Sequence, residues 1–182
     1  MTAIQDTELL AKFSIKTGSA GNSTASAAST SLGKYISTTT YTGGSLNDLF
    51  DDISGAENAA STVDYRCLFL RNTNASNDWT SVKAWVAAQV TGGADITIAI
   101  DNAAASLIGS SSAQAESIAN ETTAPSAVGA FSAPTDYASG LSVGTIPPGY
   151  CRAIWIKRTA TNSVALTGDG FTLGSQGDTG SL

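Results

Sequence analysis

Histidine is absent from the sequence, and with it every mechanism that needs an imidazole base or an imidazole-ligated metal. Charge is scarce: Asp, Glu, Lys and Arg make up 13% of the 182 residues, about half the share usual in globular domains. Nine Lys and Arg stand against fifteen Asp and Glu, and the pI of about 4.4 argues against a basic nucleic-acid footprint. No apolar run approaches the ~18 residues that a membrane-spanning helix needs. Only two cysteines occur, Cys67 and Cys151, each inside an apolar run. Without other soft ligands they cannot build a thiolate zinc site, and in a reducing compartment they read as small buried hydrophobes. The first ten residues lack the basic and apolar regions of a secretory leader, so folding in the cytoplasm is expected.

Ser and Thr, 47 together, fill the polar share that charge leaves open. A surface rich in Ser, Thr, Gly and Ala suits strands and turns and does not suit a charged helical bundle. The length predicts one domain with an appended arm. Residues 1–32 are expected to be that arm: Leu9, Leu10, Phe13 and Ile15 would tip it, and the uncharged stretch Gly18 to Ser31 would be a flexible linker. Residues 33–182 are expected to be the folded domain.

Within it, Tyr35 to Tyr41 has strand composition. Ser45-Leu-Asn-Asp48 resembles a capping box, and Leu46, Leu49, Phe50 and Ile53 predict one short helix ended by Gly55. Thr62 to Asn72 alternates Val63, Tyr65, Cys67 and Phe69 against Arg66, Leu68 and Leu70, which predicts a strand covered on both faces. Trp79 to Val90 alternates Val82, Ala84 and Val86 against Lys83 and Trp85. Asp95 to Asp101 turns Ile96, Ile98 and Ile100 inward. Residues 102–140 are too long for an ordinary loop and predict short strands, one at Ala115 to Ala119. Pro147-Pro-Gly149 predicts a type II turn before a strong strand at Tyr150 to Arg158. Short strands continue at Val164 to Leu166 and Phe171 to Leu173, with an extended polar tail. The sum is an all-β chain: an antiparallel β-sandwich with one short helix, immunoglobulin-like by the order Cys67, Trp85, Cys151, or a jelly roll.

The candidate chemical groups each have a plain structural reading. Gly168-x-Gly170 lacks phosphate-loop spacing and reads as a hairpin turn. Asp48, Asp51, Asp52 and Glu57 lack the calcium-loop pattern and read as a solvated acidic face. Asp95 and Asp101, about 20 Å apart on one strand, are too distant for paired glycosidase carboxylates; Glu116 and Glu121 are the other pair to place. No nucleophile elbow occurs. Trp79, Trp85 and Trp155 could form a sugar platform if exposed, although Trp85 and Trp155 read as core. Arg66, Arg71, Arg152, Lys157 and Arg158 could form a basic stripe for an acidic partner. No catalytic, cofactor-binding or metal-binding residue is assigned.

Four segments carry a resemblance: Leu46 to Ser54, Tyr65 to Asn74, Asn120 to Pro125 and Ile146 to Thr159. Together they resemble a group of virion structural proteins of tailed bacteriophages. The likeness covers roughly residues 33–180 and brings no catalytic residue or cofactor with it. It implies a virion protein, assembled in the host cytoplasm, that oligomerises and contacts other shell proteins. The expected role is a capsid decoration protein bound to the major capsid protein and sister copies, with Leu9, Leu10, Phe13 and Ile15 as anchors. A tail, neck or baseplate adaptor and a surface carbohydrate-binding module are the alternatives. No enzyme activity, nucleic-acid partner or membrane is expected.

Overall fold

The computed structural model describes residues 3–25, 27–164 and 169–180. Among them, nine strands form two antiparallel sheets, the all-β sandwich the alternation predicts. The strands are β1 (Leu9–Ile15), β2 (Tyr35–Thr40), β3 (Val63–Asn72), β4 (Asp78–Gln89), β5 (Asp95–Ile100), β6 (Ser106–Leu107), β7 (Leu141–Ile146), β8 (Tyr150–Thr159) and β9 (Phe171–Gly180). The larger sheet runs β2-β1-β3-β8-β5, with β6 also on β8; the smaller runs β7-β4-β9.

β3 and β8 are the spine, paired from Val63 opposite Thr159 to Arg71 opposite Cys151. Their alternation divides two cores. Leu68, Leu70, Ile154 and Ile156 face the smaller sheet and pack on Val82, Ala84, Val86, Val143 and Ile146. Tyr65, Cys67, Phe69, Cys151, Ala153 and Trp155 face the other way. There they are covered by Leu32, Ala115 and Ile118, with Val128 and Phe131 at the margin. The passage 102–140 is therefore a lid over the outer face of the larger sheet. It holds the two-residue β6 and single bridges, Gly33 with Ser117 and Asp101 with Val128. The strand expected at Ala115 to Ala119 reduces to one such bridge. Irregular backbone suffices here because Lys34 and Leu32 satisfy it: Lys34 N donates to Glu116 O at 3.0 Å and Ile118 N to Leu32 O at 3.1 Å.

The expected arm is instead strand β1, inserted between β2 and β3. Its alternation is hidden in the sequence because the buried partners of its apolar residues are polar. Lys12 is 6% exposed, its ammonium held by Thr38 O and Thr40 Oγ1, and Ser14 is fully buried. The expected linker is ordered too. Gly21 N donates to Ile36 O and Thr38 N to Ser23 O, while Ala20 and Ala25 are buried. Small side chains let this backbone lie close against β2, which a composition argument for flexibility misses. The boundary at 32/33 thus falls inside the sandwich.

The helix is displaced as well. The described α-helix is α1 (Gly55–Ala60), begun by a capping box in which Ser54 accepts from Glu57 N and Glu57 accepts from Ser54 N. Gly55, expected to end a helix, begins one. The Ser45–Asp48 box forms only its local bond, Ser45 N to Asp48 Oδ2 at 3.2 Å.

Between β7 and β8 the type II turn holds: Gly149 has φ +74° and Tyr150 N donates to Pro147 O. It carries the chain from one sheet to the other. A bulge in β4 at Ser81 (φ +53°) shifts the alternation by one, so Trp79 and Val82 both enter the inner core. The strand expected at Val164 to Leu166 falls largely outside the described residues.

Candidate functional site

The loop of residues 41–54 closes one end of the sandwich. Leu49 and Phe50 point down from it as buried plugs, 1% and 8% exposed. Two arginines from the spine hold it there. Arg66 on β3 is fully buried; its Nε donates to Leu49 O at 3.1 Å, one Nη to its own neighbour Tyr65 O, and the other to the carboxylate of Glu121. Arg158 on β8 donates to Asp51 O, to Asp64 at 2.7 Å and to the Asp51 carboxylate at 3.3 Å. The Phe50 ring packs against both guanidiniums, 4.7 Å from Arg158 and 5.3 Å from Arg66. This clamp also explains the absent helix over 46–53. The Leu49 carbonyl, which a helix would give to the amide four residues on, accepts from Arg66 instead.

Above the clamp the loop and β9 leave a groove of about 840 Å³. Its walls are residues 41–53 on one side and Gly170–Leu173 on the other, with Arg158 and Ile96 beneath. Leu46 and Val164 stand on its rim, each 84% exposed. Four aspartates line it, Asp48, Asp51, Asp52 and Asp169, with Arg158 the only Lys or Arg among the lining residues. Asp169 accepts from Ala94 N, and Asp48 from Ser45 N and the Tyr41 hydroxyl. Burial, together with the Asp48 charge beside it, pushes the Tyr41 phenol up to about 12, so it remains a donor at neutral pH.

The residues singled out in the sequence disperse. Leu9 and Phe13 pack on the inner core and Ile15 is 9% exposed; Leu10 is half-buried on β1 opposite Arg71. These four belong to an inserted strand and do not tip a tether. Glu116 and Glu121 are loop pins. Burial pushes the Glu116 carboxyl up, but bonds from Ser126 and Ala127 outweigh it and hold it below its ordinary value. Glu121 is the ion-pair partner of Arg66. Asp101, fully buried, accepts from Trp155 Nε1 at 2.9 Å and from the amides of Ala103 and Glu116. Asp95 is exposed at the start of β5, at the opposite end of that strand.

The tryptophans form no row. Trp155 and Trp79 are buried in different cores, and only Trp85 is partly exposed, on the outer face of the smaller sheet across Gly174. Tyr137 meets Trp85 edge-on at 82°, not as a coplanar platform. The expected packing of Trp85 in the core is overturned by the strand's alternation. The basic stripe divides as well. Arg66 and Arg158 are buried in ion pairs facing the inner core, while Lys157 lies over Phe131 on the opposite face. Cys67 and Cys151 are free and buried on adjacent strands of one sheet, four register positions apart, since Cys67 faces Trp155 and Cys151 faces Arg71. They do not bridge the sandwich as an immunoglobulin pair would. Burial pushes the Cys151 thiol up to about 12.

No protein-family profile, curated protein or solved structure matches the chain.

Proposed function

We propose that the chain is a structural protein of a tailed-bacteriophage virion, a capsid decoration protein that contacts the major capsid protein and sister copies through its β domain. One observation carries the reading. The four segments that resemble such proteins, scattered over more than a hundred residues of sequence, meet at the arginine clamp. Leu46 to Ser54 is the clamped loop, Tyr65 to Asn74 and Ile146 to Thr159 supply Arg66 and Arg158, and Asn120 to Pro125 supplies Glu121. Each of the four segments thus contributes at least one residue to the support of one groove. Of the four carboxylates paired above, Glu116, Glu121 and Asp101 are engaged in holding loops and strands together, and Asp95 stands exposed at the far end of β5 from Asp101. A sandwich whose two most exposed large apolar side chains, Leu46 and Val164, stand on the rim of one groove suits protein contact.

The surface that meets the capsid protein is then the groove and its rim, and not residues 1–17. The test is protein mass spectrometry of gradient-purified particles from a culture producing the chain, with copy number against the major capsid protein. On the order of hundreds of copies per particle is expected of a head decoration protein, and about six to a few dozen of a tail or neck adaptor. Absence of the chain from purified particles would refute both.

A further inference from the structure

We infer that the groove takes an extended segment of a partner polypeptide, with apolar and cationic side chains alternating along it, laid against the free edge of β9. The inference rests on the groove being the contact surface, and specifies the chemistry of what enters it.

Three independent features point to that occupant. The first is backbone. β9 is an end strand of the smaller sheet, paired only with β4 among the described residues, and Gly170–Leu173 form a wall of the groove. An end strand presents a row of amide and carbonyl groups on which an extended peptide can add a further strand. The second is apolar surface. Of the four large hydrophobic residues most exposed among the described residues, two, Leu46 and Val164, lie at this groove. They offer contact to alternate side chains of an added strand. The third is charge. Four aspartates line the groove, and the Arg158 guanidinium is already taken by Asp51 and Asp64. The Asp51 side chain is 66% exposed and Asp52 is also exposed, so negative charge faces the opening. A cationic partner complements it. A second copy of this chain, itself carrying a net charge of −6, is disfavoured, and so is a nucleic acid.

The test uses the purified full chain and three fluorescein-labelled octapeptides followed by anisotropy. One alternates Lys with Val and Leu; the second replaces each Lys by Glu; the third is the Lys peptide N-methylated at alternate backbone amides. The Lys peptide is expected to bind, and to weaken at least about tenfold between ~20 and ~200 mM salt. The Glu and N-methylated peptides should each bind at least about tenfold more weakly, the second because it keeps every side chain but loses strand donors. Leu46→Ser and Asp52→Asn, both at exposed positions, should weaken the Lys peptide without changing thermal stability. No binding of the Lys peptide at about 1 mM, or equal binding of the Glu peptide, overturns the inference. So does equal binding of the N-methylated peptide, or undiminished binding by Leu46→Ser. Self-association of the free chain that Leu46→Ser abolishes overturns it in favour of a second copy. These assays contain no particles. Peptide binding by a chain that particles lack would therefore uphold the groove's chemistry while refuting the virion role.

Discussion

Gly33 joins the N-terminal segment of the chain to the lid, and replacing it with alanine isolates the cost of that junction. Its φ is +88°, and a Cβ built on it would lie 1.8 Å from Glu116 O and 2.9 Å from Trp155 Cζ2. The first contact is backbone and cannot swing away. Its amide donates to Ser14 Oγ at 2.8 Å, and the next amide, that of Lys34, donates to the same Glu116 carbonyl. Gly44 is the control: its φ is +86° and nothing lies within 4 Å of its Cβ position. Both substitutions incur about 1–2 kcal/mol of left-handed backbone strain. Both gain the same small entropy term from the unfolded chain, which cancels in the comparison. Gly33→Ala adds about 1–3 kcal/mol of overpacking and about 1 kcal/mol for the displaced Lys34–Glu116 bond. It should therefore be about 2–4 kcal/mol less stable than Gly44→Ala. For a chain of this length, each kcal/mol is ~2–4 °C in Tm. Paired thermal and guanidinium melts measure the gap. A difference below about 1 kcal/mol would show that the lid does not pack on Gly33, and would refute the two-faced covering of the larger sheet.

Removing residues 1–17 should unfold the protein, because it strips β1 from between β2 and β3 and leaves Ser31 and Gly33 without Ser14. The lost burial of Leu9, Phe13 and Ile15 alone is worth about 3–6 kcal/mol against a total of about 5–15. A truncated chain that keeps its far-ultraviolet dichroism and a cooperative melt would contradict this. Cys67 and Cys151 should both resist Ellman's reagent at pH 8 in the native protein and both react in denaturant, since burial raises both thiols. Native-state labelling at the rate of a free thiol would refute their burial. Carboxyls of Glu8 and Glu57 are held below their ordinary 4.5 by hydrogen bonds, and that of Glu116 by bonds that outweigh its burial. A depressed folded value stabilises fully above the unfolded value and is lost as pH falls through the folded one. Tm should thus change little from pH 7 to about 5 and fall below about 4.5; a rise there would contradict the sign.

The inward and outward faces of β3, β5 and β8 were legible because their residues are apolar at period two with few exceptions. β1 was not. Its buried alternates are Lys12 and Ser14, whose polar atoms are satisfied by Thr38, Thr40 and Ser31, contacts that no local pattern reveals. The loop 41–54 carries a helical spacing and a capping motif, yet Arg66 and Arg158 reach in from more than a dozen residues away and take its carbonyls. Ser54 with Glu57 was an equally local signal, and would have placed the helix. The groove itself depends on how this loop and β9 are brought together, so only its ingredients could be read: an acidic cluster at 48–52 and an apolar Leu46.

The most direct measurement of the central claim is a reconstruction of purified particles at a resolution that places this sandwich. The domain should repeat on the particle, with Leu46 and the β9 edge turned toward density of a neighbouring polypeptide. A particle free of the chain, or one carrying it with that rim facing solvent, contradicts it.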